Sequence, residues 1–294
     1  MGTILLKSVH YSKANEEFHN PVQFLHRPIS EFERASELLF DGISRRLRAQ
    51  TAHLDLSLFS ACVACSTGLS PNYSEFNEYN RLFRRRIYEK SGIEPTMYIT
   101  SYECANWGYL LRYLQRQPDT QNILMLILDV NLPYFEASIY NAAWERSGFG
   151  LTILNLTLNP GPEDHLLLGH TKTENGYFEF LRGIKSFADK FPDLRLSMPF
   201  FPAAQRRLLA QSFGARALPD RHDEYGHCFG SDPWIGLIRH LKADPSARRS
   251  DLITASFALG GYYCAARVSL WEDIRVSSDE SLLMSSSHLD TAMS

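Results

Sequence analysis

The sequence has little of what would place the chain in a membrane, outside the cell or on a nucleic acid. No apolar run approaches membrane-spanning length, and Lys7, His10 and Lys13 interrupt the short apolar start, so we expect neither a membrane span nor a signal peptide. The formal net charge is only −3 and the two signs are mixed, which does not favour a nucleic-acid partner. We therefore expect a soluble, cytoplasmic protein.

Cysteine is also scarce. The chain has five cysteines, an odd number that fits a reducing compartment. Cys62 and Cys65 have C-x-x-C spacing, but they lie in an apolar segment and no second cysteine pair follows. A structural zinc site needs four ligands, and the redox motif opens a helix of a thioredoxin-like unit. The pair therefore predicts neither a metal site nor a redox centre.

The chain contains enough apolar residues for a sizeable core, since 44% of its 294 residues are hydrophobic. Helical and strand-like patterns alternate along the chain, which predicts an α/β fold with layered sheets and helices. We predict strands at Leu54–Ala64, Asn122–Val130 and Phe149–Leu158. Gly260-Gly261 joins two further apolar segments, which indicates a hairpin.

One strong break divides the chain. Asn159-Pro160-Gly161-Pro162 combines residues that interrupt regular structure, and it predicts a joint between an N-terminal half, 1–159, and a C-terminal half, 160–270. From Trp271 onward the sequence is rich in serine and acidic residues, so we predict a mobile tail over 271–294.

The most informative stretch surrounds Cys104. Residues 97–102 alternate as in a strand, whereas Trp107, Leu110 and Leu114 fall on one helical face, so the thiol lies at a strand-to-helix elbow. The free N–H groups at a helix start favour a thiolate, which makes Cys104 a candidate nucleophile. Glu103 opposes this if it points inward, because a carboxylate raises a neighbouring thiol pKa. The alternative is a buried cysteine that only packs.

Four landmarks in consistent order resemble the thiolase-like superfamily, and within it the β-ketoacyl-acyl-carrier-protein synthase III branch. Each motif is only moderately specific, and together they span most of residues 3–270. The landmarks are Glu103-Cys104-Ala105-Asn106-Trp107-Gly108, Asn175-Gly176-Tyr177-Phe178-Glu179-Phe180, Tyr225-Gly226-His227-Cys228-Phe229-Gly230-Ser231 and Phe257-Ala258-Leu259-Gly260-Gly261-Tyr262.

The resemblance implies a five-layered αβαβα fold with two pseudo-repeated halves, and a dimer formed with itself or with another ketosynthase-like chain. It implies that Cys104 is acylated by a coenzyme A or acyl-carrier-protein thioester, with no permanently bound cofactor. It also implies an oxyanion hole made by backbone N–H groups of Cys104 and of Leu259-Gly260.

Two departures from the family pattern bear on the reaction. Phe200, in Pro199-Phe200-Phe201-Pro202, stands where the family's Pro-His-Gln-Ala-Asn motif has its histidine, and His227 replaces an asparagine. An aromatic ring cannot donate the hydrogen bond that decarboxylative condensation of malonyl thioester uses. His227 can instead act as a base toward Cys104 or an acceptor, with Asp232 as a possible orienting residue.

The sequence leaves three functions open. The first is an acyltransferase of secondary metabolism, whose pocket candidates are Trp107, Phe200, Phe201 and Phe229. The second is a non-catalytic partner chain in a heterodimer with an active synthase. The third, less favoured, is a metal-dependent hydrolase using His222, Asp223, His227 and Cys228, a set that lacks fixed helical spacing.

Overall fold

A computed structural model of the chain describes residues 4–13, 29–67, 85–117, 121–129, 140–141, 143–159 and 163–279. The strands in these ranges are β1 (Ile4–Lys13), β2 (Ala61–Cys65), β3 (Met97–Ile99), β4 (Asn122–Asp129), β5 (Tyr140–Asn141), β6 (Glu145–Arg146), β7 (Gly150–Leu158), β8 (Leu166–His170), β9 (Arg195–Ser197), β10 (Leu252–Phe257) and β11 (Tyr262–Asp279). The α-helices are α1 (Ile29–Thr51), α2 (Asn106–Gln115), α3 (Gly176–Ala188), α4 (Ala203–Phe213), α5 (His222–Tyr225) and α6 (Asp232–Ala243).

The long strand β11 connects two sheets. The strand order is β3-β2-β4-β7-β1-β11-β10-β9, with β8 also paired to β11. Residues 262–268 of β11 pair with β10 and β8, whereas its later residues, from Ser269, run parallel to β1. We call the part from β3 to β1 the first sheet and the part from β8 to β9 the second sheet.

The buried residues of β4 show how the layers form. Ile123, Met125 and Ile127 belong to one hydrophobic cluster, and the alternate residues Leu124 and Leu126 belong to another. Side chains of a strand alternate between the two faces of its sheet, so the first sheet is covered on both faces. This explains why the β4 sequence is a continuous apolar run.

The three clusters define five layers. The central cluster joins α2 and α6 to the inner faces of both sheets. A second cluster packs α1 on the outer face of the first sheet, and a third packs α3 and α4 on the outer face of the second sheet. The order helix, sheet, helix, sheet, helix confirms the predicted five-layered αβαβα fold. No helix within the described ranges combines the length and the hydropathy that a membrane crossing requires.

The structure corrects two boundaries. The predicted strand Leu54–Ala64 is shorter, because Leu56–Leu58 forms a 3-10 turn with exposed leucines and β2 begins at Ala61. The predicted tail begins too early, since residues 271–279 continue β11, residues 275–279 pair with β1, and Ile274 is buried. Residues 280–294 and the Pro160-Gly161-Pro162 part of the predicted joint lie outside the described residues.

Candidate active site

Cys104 lies where the chain passes from β3 into α2. It is the middle residue of a 3-10 turn, Glu103–Ala105, which leads directly into α2. The side chain of Asn106 fixes this turn, because it accepts a hydrogen bond from the Tyr102 N–H at 2.8 Å and donates one to the Ser66 carbonyl at 3.0 Å. The elbow that the change of periodicity predicted is therefore present.

The electrostatic environment of the thiol differs from the one predicted. Cys104 is buried, and burial raises its thiol pKa well above the usual value, as do the nearby carboxylates of Glu103, Asp129 and Asp232. These effects exceed the influence of the helix start. The resting side chain is therefore a neutral thiol, which needs a base to become a nucleophile.

His227 provides a base at the required position. Its Nε2 lies 3.5 Å from Cys104 Sγ, although 123 residues separate the two in the chain. The backbone of His227 is fixed on both sides, since its N–H donates to the Arg146 carbonyl at 2.7 Å and its carbonyl accepts from the Gly148 N–H at 2.8 Å. Contact between Sγ and Nε2 at this distance allows proton transfer from the thiol to the ring.

Asp232 lies on the other side of the ring. Its Oδ2 is 2.6 Å from His227 Nδ1, and both side chains are buried. The carboxylate is held in place by two backbone donors, the Cys228 N–H at 2.6 Å and the Phe200 N–H at 2.9 Å. Burial is the largest single influence on His227 and opposes the charged imidazolium, but the charge of Asp232, its contact with the ring and the charge of Asp129 together outweigh burial, so the pKa of His227 is raised.

Backbone strain occurs beside both reactive side chains. Among the described residues, three non-glycine residues have a positive φ, and two of them are Glu103, at 48°, and Phe229, at 51°. Glu103 directly precedes Cys104, and Phe229 follows His227 by two positions. Such residues cost of order 1–3 kcal/mol each and persist where the surrounding structure holds them. The strain indicates that these positions serve the geometry of the site.

A second buried carboxylate, Asp129, belongs to this neighbourhood and was not predicted from the sequence. It ends β4, and its Oδ1 accepts a hydrogen bond from the Thr67 N–H at 2.9 Å. Burial raises the pKa of Asp129 to about 6. The sequence signal was a single acidic residue closing an apolar strand, which by itself is not specific.

A cavity of about 330 Å³ reaches His227. Its wall is mainly aromatic and aliphatic, and it includes residues of the β10–β11 turn, of α3 and α4 and of the segment between β5 and β6. The lining residues are Ala143, Trp144, Tyr177, Phe201, Ala204, Gln205, Leu208, His227, Phe257, Ala258 and Leu259. The Phe201 ring lies nearly parallel to the His227 ring, with centroids 6.5 Å apart.

The other aromatic pocket candidates lie outside this wall. Trp107 is fully buried between the sheets, where its Nε1 donates to Ser256 Oγ at 2.8 Å. Phe200 is also a core residue and contributes its backbone N–H to Asp232. Neither residue lines this cavity: Trp107 packs in the central cluster, and Phe200 lines a separate cavity of about 370 Å³, so their place in a substrate pocket stays a prediction. Phe229 contacts the His227 ring, with centroids 5.1 Å apart, but does not line the cavity.

The turn between β10 and β11 is linked to the elbow. The predicted hairpin is present, with Gly261 at φ 83°, a conformation that favours glycine. The Gly260 N–H donates to the Glu103 carboxylate at 3.1 Å. This donor, which the resemblance assigned to an oxyanion hole, is thus engaged by Glu103.

The residues of the metal hypothesis have other partners. His222 Nε2 contacts the Trp144 carbonyl at 2.6 Å, and Asp223 forms a two-point ion pair with Arg206 at 2.6 and 3.0 Å. In the part of the chain that the structure describes, no group of three or more His, Cys, Asp or Glu side chains is arranged to hold a metal ion.

Several solved structures resemble this chain. The 3-oxoacyl-(acyl-carrier protein) synthase of Burkholderia xenovorans LB400 aligns with a TM-score of 0.61 at 10% identity, over 96% of this chain and 97% of that one. A tetronic acid condensing enzyme aligns with a TM-score of 0.56 at 11% identity, over 89% and 98%. MvaS in complex with 3-hydroxy-3-methylglutaryl coenzyme A aligns with a TM-score of 0.57 at 8% identity, over 91% and 84%.

Comparison by sequence adds no relative, since no family model and no curated protein matches the chain. The structural matches cover nearly the whole length of both chains, and their identities are low, so what they establish is the fold. The chain therefore has the thiolase-like fold, in the form seen in 3-oxoacyl-(acyl-carrier-protein) synthase III.

Proposed function

We propose that the chain is an acyltransferase that takes an acyl group onto Cys104 from a coenzyme A or carrier-protein thioester. It then transfers the group to an acceptor other than a malonyl thioester, in secondary metabolism. The observation that carries this proposal is the line of three buried groups: Cys104 Sγ is 3.5 Å from His227 Nε2, and His227 Nδ1 is 2.6 Å from Asp232. This is the arrangement of a nucleophile, a base and an orienting acid.

In the first step His227 Nε2 accepts the thiol proton while the sulfur attacks the thioester carbonyl carbon. The tetrahedral intermediate collapses, the C–S bond to the donor breaks, and the leaving thiolate takes the proton from the imidazolium. In the second step His227 removes a proton from the acceptor, and the acceptor attacks the carbonyl carbon of the acyl-cysteine. The released Cys104 thiolate then recovers that proton, so the enzyme returns to its initial state.

Two backbone N–H groups support an oxyanion hole. Within the described ranges, the N–H groups of Cys104 and Leu259 donate to no protein acceptor, whereas the Gly260 N–H is used by Glu103. We therefore assign the hole to Cys104 and Leu259, with Glu103 and Gly260 fixing the turn that carries Leu259. Decarboxylative condensation is disfavoured, because Phe200 is packed in the core and offers no side-chain donor.

The test is acylation followed by intact mass. Incubation with a panel of acyl thioesters should add one acyl group to the native chain and none to Cys104→Ala. Cys62→Ala is the matched control, because Cys62 is more exposed than Cys104 and would react first in non-specific acylation. If the added mass persists in Cys104→Ala and disappears in Cys62→Ala, the proposal is wrong.

One observation favours the second function, a support chain in a heterodimer with an active synthase. The Glu103 carboxylate both raises the Cys104 pKa and engages a donor of the turn. That function predicts a stable complex with a second synthase and no acylation of this chain alone. Co-purification combined with the mass assay separates the two, and it also tests whether the chain forms a homodimer.

A further inference from the structure

The cavity beside His227 contains the two parts of the site that an acceptor must reach. His227 is the base of the proposed second step, and Leu259 carries a backbone N–H of the proposed oxyanion hole; both residues line the cavity. Cys104 lies close to the same wall, because its sulfur is 3.5 Å from His227 Nε2 and it packs in one cluster with Ala258, another lining residue. A molecule that takes the acyl group from Cys104 therefore enters this cavity with its nucleophilic atom toward His227.

The polar side chains of the wall already have partners for their donors. Trp144 Nε1 donates to Ser147 Oγ at 3.0 Å, and the Tyr177 hydroxyl donates to the Gln205 carbonyl at 2.9 Å. Gln205 Nε2 donates to the Ala143 carbonyl at 3.3 Å. The donors of these three side chains are thus used within the protein, which leaves His227 as the reactive polar group of the cavity.

The wall also lacks a cation that could hold an anionic group. Among the described residues that line the cavity, none carries a formal charge apart from His227 when it is protonated. That charge is balanced by Asp232, whose Oδ2 is 2.6 Å from His227 Nδ1. A carboxylate or phosphate in the cavity would lose its water without gaining a counter-ion, which is costly. The part of a substrate that the cavity takes is therefore uncharged.

The shape-filling part of the wall consists of aromatic rings. Trp144, Tyr177, Phe201 and Phe257 all line the cavity. The ring centroids of Trp144 and Phe201 are 5.4 Å and 6.5 Å from that of His227, so a ligand at the imidazole also lies beside these rings. The cavity measures about 330 Å³. Since an apolar cavity of about 150 Å³ holds one benzene molecule, this cavity has room for two fused rings.

We infer that the acceptor is an uncharged aromatic alcohol or phenol of one or two rings, with its ring system in this cavity and its hydroxyl at His227. Aromatic rings are favoured over saturated rings of equal size, because ring–ring contacts add to the effect of burial. A hydroxyl is favoured over an aliphatic amine, because the amine is protonated near neutral pH and would bring a charge into the cavity.

The inference rests on the proposed function and specifies its second step. His227 Nε2 takes the hydroxyl proton, and the hydroxyl oxygen attacks the carbonyl carbon of the acyl-cysteine. The bond between that carbon and the Cys104 sulfur breaks, and the released thiolate recovers the proton from the imidazolium. The product is an aryl or arylalkyl ester.

Binding of three related compounds tests the ligand class without requiring acylation. The compounds are naphthol, its saturated analogue decahydronaphthol, and the anion naphthoate, and their affinities are measured by isothermal titration calorimetry near neutral pH. Naphthol should bind about tenfold more tightly than either analogue, because decahydronaphthol lacks the ring contacts and naphthoate brings an unpaired charge. If either analogue binds as tightly as naphthol, the inference is overturned.

A substitution at the cavity mouth tests where naphthol binds. Ala203 and Ala204 are neighbouring exposed residues of α4, and Ala204 lines the cavity whereas Ala203 does not. Ala204→Phe should therefore weaken naphthol binding by about tenfold, and the control Ala203→Phe should bind naphthol as the native chain does. Equal naphthol affinities in Ala204→Phe and the native chain would place the compound elsewhere and overturn the inference.

Transfer from the acyl-enzyme tests the role of acceptor. Naphthol added to the chain acylated on Cys104 should remove the added mass and yield the naphthyl ester, detected by chromatography. Tight naphthol binding without ester formation would overturn the assignment as acceptor and would give the ring site to the acyl group instead. Failure of Cys104 to acquire an acyl group would reject the proposed function, and the binding series would still decide the ligand class.

Discussion

Removing the charge of Asp232 while keeping its shape tests the role assigned to His227. In the native chain the carboxylate raises the pKa of His227, which is protonated below that value and then cannot accept a proton from Cys104. The rate of Cys104 acylation should therefore increase with pH through a midpoint above 6.5, the usual value for histidine. In Asp232→Asn the midpoint should move to lower pH, because the largest favourable contact of the imidazolium is lost.

The maximal acylation rate should also decrease in Asp232→Asn, by about 10²- to 10³-fold, since positioned general bases contribute typically 10²–10⁴-fold. The variant should lose stability as well. Asp232 accepts hydrogen bonds from the Cys228 and Phe200 N–H groups, and a single amide oxygen can replace only one of these well. A charged hydrogen bond contributes about 1.5–3 kcal/mol, so the free energy of unfolding should decrease by about 2 kcal/mol.

The assay is rapid mixing with an acyl thioester, quenching and intact mass, repeated from pH 5.5 to about 9, with urea unfolding in parallel. Asp220→Asn is the matched control, because Asp220 also accepts from two backbone N–H groups, those of Phe201 at 2.9 Å and His222 at 2.7 Å. It should lose comparable stability and keep the native pH midpoint. An unchanged midpoint and maximal rate in Asp232→Asn would refute the assigned role.

Three further changes test the surroundings of the site. Glu103→Gln keeps an acceptor for the Gly260 N–H but removes a charge that raises the pKa of Cys104. Alkylation of Cys104 by iodoacetamide at pH 8 should therefore be roughly threefold faster in this variant. An unchanged alkylation rate would contradict the proximity of the Glu103 charge to the thiol. Asp129→Asn removes a carboxyl group whose pKa is raised to about 6. The difference in melting temperature between this variant and the native chain should therefore favour the variant more at pH 8, where Asp129 is ionised, than at pH 5. Equal differences at both pH values would argue against the raised pKa of Asp129. Gly108→Ala would place a Cβ 2.4 Å from the Cβ of Cys264. The free energy of unfolding, measured with urea, should therefore decrease by about 1–3 kcal/mol. A native-like urea midpoint would show that α2 can move away from β11.

The sequence was most informative where local pattern and local chemistry coincide. The change of period around Cys104 located the elbow, and the continuous apolar run of β4 predicted a strand covered on both faces. Both features depend on residues close together in the chain, so no knowledge of the tertiary structure was needed. The five-layered order came from the resemblance, since the layers depend on which strands pair.

The electrostatics of the site could not be predicted in the same way. The pKa of Cys104 is set by burial and by carboxylates from three places in the chain, Glu103, Asp129 and Asp232. Only the adjacent Glu103 is visible as a neighbour in the sequence. The helix start predicted a lowered pKa of Cys104, whereas burial first and the three carboxylates second raise it.

The cavity wall shows the same limitation, and Trp107 and Phe200 illustrate it. Trp107 lies in a recognised motif and Phe200 at a position where the sequence departs from one, but the orientation of each side chain depends on packing between layers. Gln205 and Tyr177 lie on two helices that meet only through tertiary contacts, and although Tyr177 belongs to a landmark motif, no local pattern marked either residue as part of the cavity wall. The end of β11 was missed because its serines and acidic residues resemble a tail, although they pair with β1.

The two buried carboxylates bear on the choice between an enzyme and a support chain. Asp129 and Asp232 are both fully buried near Cys104, and the charge of Asp232 adds to the burial that disfavours ionised Asp129. Buried charges reduce stability unless they are well compensated, and neutral side chains of similar shape often stabilise a fold. A chain that only shaped the pocket of a partner would gain nothing from this cost. An enzyme that must hold a proton on His227 does gain, because the nearby negative charge stabilises the imidazolium formed when Cys104 attacks. The cost and the geometry therefore both favour catalysis by this chain itself.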